Sequence, residues 1–135
     1  MPEVTINYWA VLAATAVSMV LGSIWYSKAV FGKTWMQLVG LKEEAAKQGA
    51  AKAILGMVVG AFIQVYVLAH VVDFAQADTV KEGLQSGAWL WLGFIGAVTI
   101  ADVLFAQRPF KLWLITNSYQ LVIMVVNGVI LATWQ

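Results

Sequence analysis

Asp102 is the residue best placed to do chemistry in this 135-residue chain, because it is a carboxylate near one end of a long apolar run. An ionisable group in such a run is costly to desolvate and is read first as functional. Asn117 lies at a similar depth in the next run. Gln120, Met124 and Asn127 follow it at helical spacing, so one side of that run is polar. Ser23, Tyr26 and Ser27 occupy the same third of the first run. Asp102, Asn117, Gln120, Tyr119, Ser23 and Tyr26 therefore form the candidate polar cluster. Two roles are open to it. One is a binding pocket or proton-sensitive site with Asp102 as its only charge. The other is a set of interhelical hydrogen bonds, with Asp102 paired to Arg108 or Lys111.

His70 is the sole histidine and sits near the opposite end of the second run, with Asp73 about one turn further on. A His–Asp pair is expected there. One histidine and one aspartate are too few ligands for a metal site, so no metal and no cofactor are expected. By helical rise, His70 and Asp102 lie roughly 15–20 Å apart along the axis and cannot form one acid–base pair. The chain has no cysteine, which excludes thiolate chemistry and disulfides. Its serines have no base at matching depth. No phosphate-binding glycine loop and no basic patch for nucleic acid are present. An enzyme is not expected; the alternative kept is a lipid-modifying accessory subunit.

The elements that must position these residues are four apolar runs, at 8–27, 53–74, 83–106 and 112–134. Each is about the length a helix needs to cross a bilayer. Apolar residues make up 61% of the chain and charged ones 11%, against roughly 25% charged in a soluble domain. The runs do not alternate polar and apolar residues, so helices are expected rather than barrel strands. The fold expected is an all-α bundle of four transmembrane helices in a single domain, with a loop at 28–52. Seven of the eight basic residues fall in two of the connecting segments: Lys28, Lys33, Lys42, Lys47 and Lys52 in the first, Arg108 and Lys111 in the last. The positive-inside rule puts both segments in the cytoplasm and both termini outside. The N-terminal segment has Glu3 and no basic residue, unlike a signal peptide, so the first span is expected to be retained.

Within the first loop, residues 30–41 mix Phe31, Trp35, Met36 and Leu38 with Lys33, the composition of a short helix lying in the interface and ended by Gly40. Glu43 and Lys47 are spaced for an i, i+4 pair on a cytoplasmic extension of the second span. The tryptophans sort by depth into a belt, with Trp9, Trp89, Trp91 and Trp134 outer and Trp25, Trp35 and Trp113 inner. Small residues line one face of three spans: Ala10, Ala14, Ser18 and Gly22; Gly56 and Gly60; Gly93 and Ala97. Such faces let helices approach closely, either within the chain or between copies.

Three stretches carry a family resemblance: Asn7-Tyr8-Trp9-Ala10-Val11, Leu21-Gly22-Ser23-Ile24-Trp25-Tyr26-Ser27 and Phe31-Gly32-Lys33-Thr34-Trp35-Met36. A later set, Leu104-Phe105, Arg108-Pro109, Lys111-Leu112 and Ile115-Thr116-Asn117-Ser118-Tyr119, adds to it. Over nearly its full length the chain resembles domain of unknown function 1761, a small bacterial family. The resemblance implies a four-helix membrane protein with no assigned activity and no catalytic residues to transfer. It singles out Trp25, Tyr26, Phe31, Lys33, Trp35 and Asn117. The family tends to carry an acidic residue after Leu-Phe, where this chain has Ala106-Gln107. That departure favours pairing of Asp102 with Arg108 here.

The expected function is that of a structural, interaction or lipid-binding homo-oligomer of the bacterial plasma membrane. Its expected partners are membrane lipids and further copies, with any small-molecule ligand unknown. The alternative is a small transporter or channel subunit whose path is lined by Asp102 and the polar face of the fourth span.

Overall fold

The computed structural model describes residues 2–135. Among them every regular element is helical: α1 Tyr8–Trp25, α2 Gly32–Val39, α3 Glu43–Phe74, α4 Val80–Trp91, a π-helical turn Leu92–Gly96, α5 Ala97–Leu104 and α6 Phe110–Thr133. Four helical stretches are long and apolar enough to cross a membrane: α1, α3, the continuous third stretch Val80–Leu104, and α6. The four expected apolar runs are helical, α3 beginning ten residues ahead of its run, but the third is not one regular α-helix. The π turn gives one stretch of that helix wider i→i+5 winding and shifts the register of the residues beyond it.

Local chemistry sets the ends. Asn7 caps α1, its Oδ1 accepting from the backbone N–H of Trp9 at 3.1 Å and of Ala10 at 3.3 Å. Thr79 and Glu82 form a reciprocal capping box at the start of α4. Gly40 ends α2 in the left-handed region at φ 71°. Pro109 stands immediately before α6, where its missing N–H costs nothing.

The turn from α1 into α2 explains the motif Trp-Tyr-Ser followed by Phe-Gly-Lys. Gly32 donates its N–H to the Ser27 carbonyl at 2.9 Å. A Cβ there would collide with the carbonyl of Tyr26 and sit 2.8 Å from that of Ser27. Only glycine lets the chain fold back this tightly. Around it the rings of Trp25 and Phe31 stand 4.9 Å apart, Tyr26 and Trp35 5.8 Å, and Tyr26 and Tyr119 5.5 Å. Through Tyr26 these aromatic pairs join α2 to the end of α1 and to the middle of α6.

The most buried of the four long helices is α6, which packs broadly on α4, α1 and α3 and more lightly on α2 and α5. Its tightest partner is α4. A Cβ on Gly83 would run into the carbonyl oxygen of Gly128, one on Gly87 into that of Met124, and one on Gly128 into that of Gly83. The two backbones are therefore in direct contact, the geometry small residues permit. Across the bundle Ala10, Val11 and Ala14 of α1 meet Val65, Leu68, Ala69 and Val72 of α3 in a fully buried layer. The stripe Ala10, Ala14, Ser18 and Gly22 is thus used for packing within the chain.

The other small faces are not. Gly56, Gly60 and Gly93 have nothing within 4 Å of a would-be Cβ, and Ala97 is exposed. Internal packing of these four does not occur, because the first half of α3 stands away from its neighbours. Residues 51–60 are exposed on every side. The packing glycines of the third stretch are Gly83 and Gly87, nearly three helical turns earlier than Gly93 and Ala97.

At the end of the bundle away from α2 the termini meet the α3–α4 turn. Asn7 Nδ2 donates to the Trp134 carbonyl at 3.4 Å, and Gln135 Nε2 to that of Ala77 at 2.8 Å.

Candidate functional site

Because α3 splays from the third stretch, a cleft of about 1130 Å³ opens between them, floored by α6 and roofed by α2. Ala50, Ala53, Met57 and Gln64 line its α3 wall, and Ile95, Thr99 and Asp102 the opposite wall. The floor is Thr116, Asn117, Tyr119 and Gln120. Tyr26, Trp35 and Met36 close the roof, with Lys28, Glu43 and Lys47 at the rim. A side pocket of about 270 Å³ branches off past Trp35, Asp102, Thr116 and Asn117, which line both spaces, towards Arg108 and Trp113.

Of the six expected cluster residues, Asp102, Asn117, Gln120, Tyr119 and Tyr26 come together in this cleft. Ser23 does not. Its hydroxyl donates to its own helix, to the Met19 carbonyl at 2.9 Å, and it faces outward. Thr99, Thr116 and Gln64 join the site and were not expected. Gln64 was legible as a polar residue inside the second span. Thr99 was hidden because threonine readily bonds its own helix.

The polar floor is a connected network. Trp113 Nε1 donates to Thr99 Oγ1 at 2.9 Å. The Thr99 hydroxyl has Asn117 Oδ1 at 3.1 Å and the Ile95 carbonyl at 2.7 Å as acceptors. Asn117 Nδ2 donates to the Trp113 carbonyl at 3.0 Å, and Trp91 Nε1 donates to the Asn117 carbonyl at 2.9 Å. The widened π turn brings this about, since Trp91 swings over Gly96 and its ring lies 6.4 Å from that of Trp113. Trp91 is therefore a mid-bundle hydrogen-bond donor and not a member of an outer belt. Trp9 and Trp89 do point outward, at 74% and 69% exposure. Trp25 is likewise engaged, donating from Nε1 to the Ile115 carbonyl at 2.9 Å.

Deeper in, Gln64 Nε2 donates to Gln120 Oε1 at 3.0 Å and bridges α3 to α6. Beyond that pair lies the dry core of Val11, Val65 and Leu68. The polar side of α6 continues at Asn127, whose Nδ2 donates to Ser18 Oγ at 2.8 Å. Its Oδ1 is the one buried side-chain polar atom without a partner among the described residues.

The charges are disposed differently from expectation. Asp102 makes no ion pair with Arg108 or Lys111. Arg108 reaches it only through the backbone, N–H to the Asp102 carbonyl at 3.2 Å. That bond closes the turn. The sole ion pair among the described residues joins Lys28 to Glu43 at 2.6 Å. Glu43 thus uses Lys28 across the loop as its close partner in place of Lys47. Ahead of the apolar part of α3, the hydrogen bond and charge of Lys28 hold the Glu43 carboxyl below the usual carboxylate range. The carboxylate of Asp102 is left exposed in the cleft with no hydrogen bond or ion pair among the described residues.

At the far end of the bundle His70 does not pair with Asp73. Its Nδ1 donates to the Tyr66 carbonyl at 2.9 Å, one turn back in α3, and its ring stacks edge-on to Tyr66 at 4.6 Å. The i−4 carbonyl is nearer than any carboxylate. Among the described residues no group of three or more metal-ligating side chains occurs.

Of the motif residues, Trp35 lines the roof of the cleft, Trp25 and Phe31 pack against one another outside its lining, and Lys33 faces solvent. No curated protein and no solved structure matches the chain. A family model described as a protein of unknown function, DUF1761, matches residues 9–132. With nearly its whole length inside that match, the chain belongs to the DUF1761 family.

Proposed function

We propose that this chain is a multi-pass membrane protein that binds a membrane lipid in the cleft between α3 and the third helical stretch. The cleft carries the proposal. It is large, its walls are apolar at Ala50, Ala53, Met57 and Ile95, and its head end gathers the charged groups Lys28, Glu43, Lys47 and Asp102. That gradient from apolar to charged is the gradient of an amphiphile. The exposed sides of residues 51–60 mean that the cleft opens sideways, towards the acyl chains, once the four long helices stand in a bilayer. The distribution of lysine and arginine favours the charged rim on the cytoplasmic side and both termini outside; the family resemblance favours the bacterial plasma membrane as the setting. No catalytic step is proposed.

The open face of Gly56 and Gly60 supports a homo-oligomer, with the first half of α3 as its contact surface. A transport role is the second reading. It is favoured by the line of polar side chains running inward from Asp102 through Thr99, Asn117 and Gln120 to Gln64. Under that reading Asp102→Asn loses flux.

Native mass spectrometry of protein released from lipid discs tests the main reading. Wild type should retain one lipid per protomer, and Ala53→Trp, which fills the apolar wall, should lose it. Equal retention by both would remove the cleft as the binding site.

A further inference from the structure

The charged end of the cleft contains more than a lipid-binding surface requires, and its arrangement selects a head group. Lys28 and Glu43 neutralise one another at 2.6 Å. Three lining charges then remain without an ion pair among the described residues: Asp102 on the wall of α5, Lys47 on the wall of α3, and Arg108 in the side pocket. Asp102 stands where cleft and side pocket join, with the Trp35 ring lining the same two spaces.

From this disposition we infer that the cleft takes a phospholipid whose head carries an ammonium beyond its phosphate. The inference rests on the cleft being a lipid site. The ammonium goes to the Asp102 carboxylate, in the space that Trp35 also lines; that ring attracts cations through its quadrupole. The phosphate goes to Lys47 and Arg108, where hydrogen bonds between charged partners are the strong ones. The alternatives leave a group unmatched. An anionic head without an ammonium would set its phosphate beside Asp102 and give that carboxylate nothing. A purely cationic amphiphile would satisfy Asp102 and leave Lys47 and Arg108 facing a positive charge. The head with both charges uses all three.

The test is competitive retention in lipid discs of equal phosphatidylethanolamine, phosphatidylcholine and phosphatidylglycerol content, read as the lipid mass carried by the released protein. Wild type should retain the two ammonium lipids over phosphatidylglycerol by about tenfold, the discrimination expected of one charge-assisted contact. Asp102→Asn, at an exposed position that does not threaten folding, should abolish that preference while lipid is still retained. A double Lys47→Gln, Arg108→Gln variant should lower retention of all three lipids and keep the preference. Preference for ethanolamine over choline would assign hydrogen bonding by Asp102 as the dominant contact. The reverse would assign the Trp35 ring; both satisfy the inference. Retention by wild type without head preference, or a preference that survives Asp102→Asn, overturns it while the cleft stands. Retention that survives Ala53→Trp overturns the cleft itself.

Discussion

The hydroxyl of Tyr119 donates to the carbonyl of Ser18 at 2.8 Å, and Gly22, the next small residue along the same face of α1, leaves room for the phenol. A Cβ on Gly22 would lie 2.8 Å from Tyr119 Oη. The ring cannot retreat freely, because it also meets Tyr26 at 5.5 Å and Trp25 at 6.3 Å. Gly22→Ala should therefore cost about 1–3 kcal/mol through overpacking. Tyr119→Phe should cost less, roughly 0.6 kcal/mol, as an interhelical hydrogen bond in a membrane typically contributes. Thermal unfolding in mild detergent measures both, and a Gly22→Ala variant as stable as wild type would contradict the packing described.

The glycines divide into two classes with opposite predictions. Gly87→Ala and Gly128→Ala place a methyl against the backbone of α6 or α4 and should destabilise by about 2 kcal/mol or more. Gly56→Ala, Gly60→Ala and Gly93→Ala meet nothing within the chain. They should be neutral or stabilising by up to about 1 kcal/mol, through helix propensity. Denaturant titration of all five separates the classes. If Gly56→Ala and Gly60→Ala instead lower stability in a concentration-dependent way, the open face of α3 is covered by a second copy.

Thr99 links the indole of Trp113 to the side-chain amide of Asn117. Thr99→Val removes the acceptor of Trp113 and a donor to Asn117 Oδ1, leaving both groups without that partner. The expected loss is about 1–3 kcal/mol, with a shift in tryptophan emission from the changed surroundings of Trp113. Thr99→Ser should restore both. An unchanged spectrum and stability in Thr99→Val would mean that the network is not formed.

The Lys28–Glu43 pair ties the end of α1 to the start of α3 at 2.6 Å. Pairing lowers the folded-state pKa of Glu43 below its ordinary value. The tether is therefore complete above the ordinary carboxylate range and is lost as pH falls through the lowered value. Hydrogen-exchange protection across residues 28–43, taken relative to the intrinsic exchange rate at each pH, should fall at that acid edge in wild type. In Glu43→Gln it should be low at every pH, and a wild type whose protection does not change with pH would refute the tether.

Much of the architecture was legible in the chain. Length and apolarity place four helices, Gly40 ends α2, Pro109 precedes α6, and the stripe from Ala10 to Gly22 finds its packing role. The polar cluster was legible because Asp102, Asn117, Gln120, Tyr119 and Tyr26 share one depth, and depth is a one-dimensional quantity that sequence carries. What escaped was rotation and splay. Ser23 has the right depth but faces outward. Gly93 and Ala97 have the spacing of a packing face, yet Gly83 and Gly87 are the residues that meet α6. Trp91 counted as interfacial because the insertion of the π turn was not visible in composition. Asp102 and Arg108 are near in sequence and line the same side pocket, yet they join only through the backbone and form no ion pair.

The cleft exists only if the first half of α3 stands away from α5 in a bilayer. The chain has no cysteine, so spin labels can be placed on engineered cysteines at Leu55 and Val98, two exposed positions outside the lining of the cleft. Pulsed electron resonance in lipid discs would then measure the gap. A single population that shortens when phospholipid is exhaustively removed by detergent, as the two helices close towards the about 8–10 Å axis separation of packed helices, is the predicted result. A distance that matches packed helices in lipid would contradict the cleft and the lipid-binding role built on it.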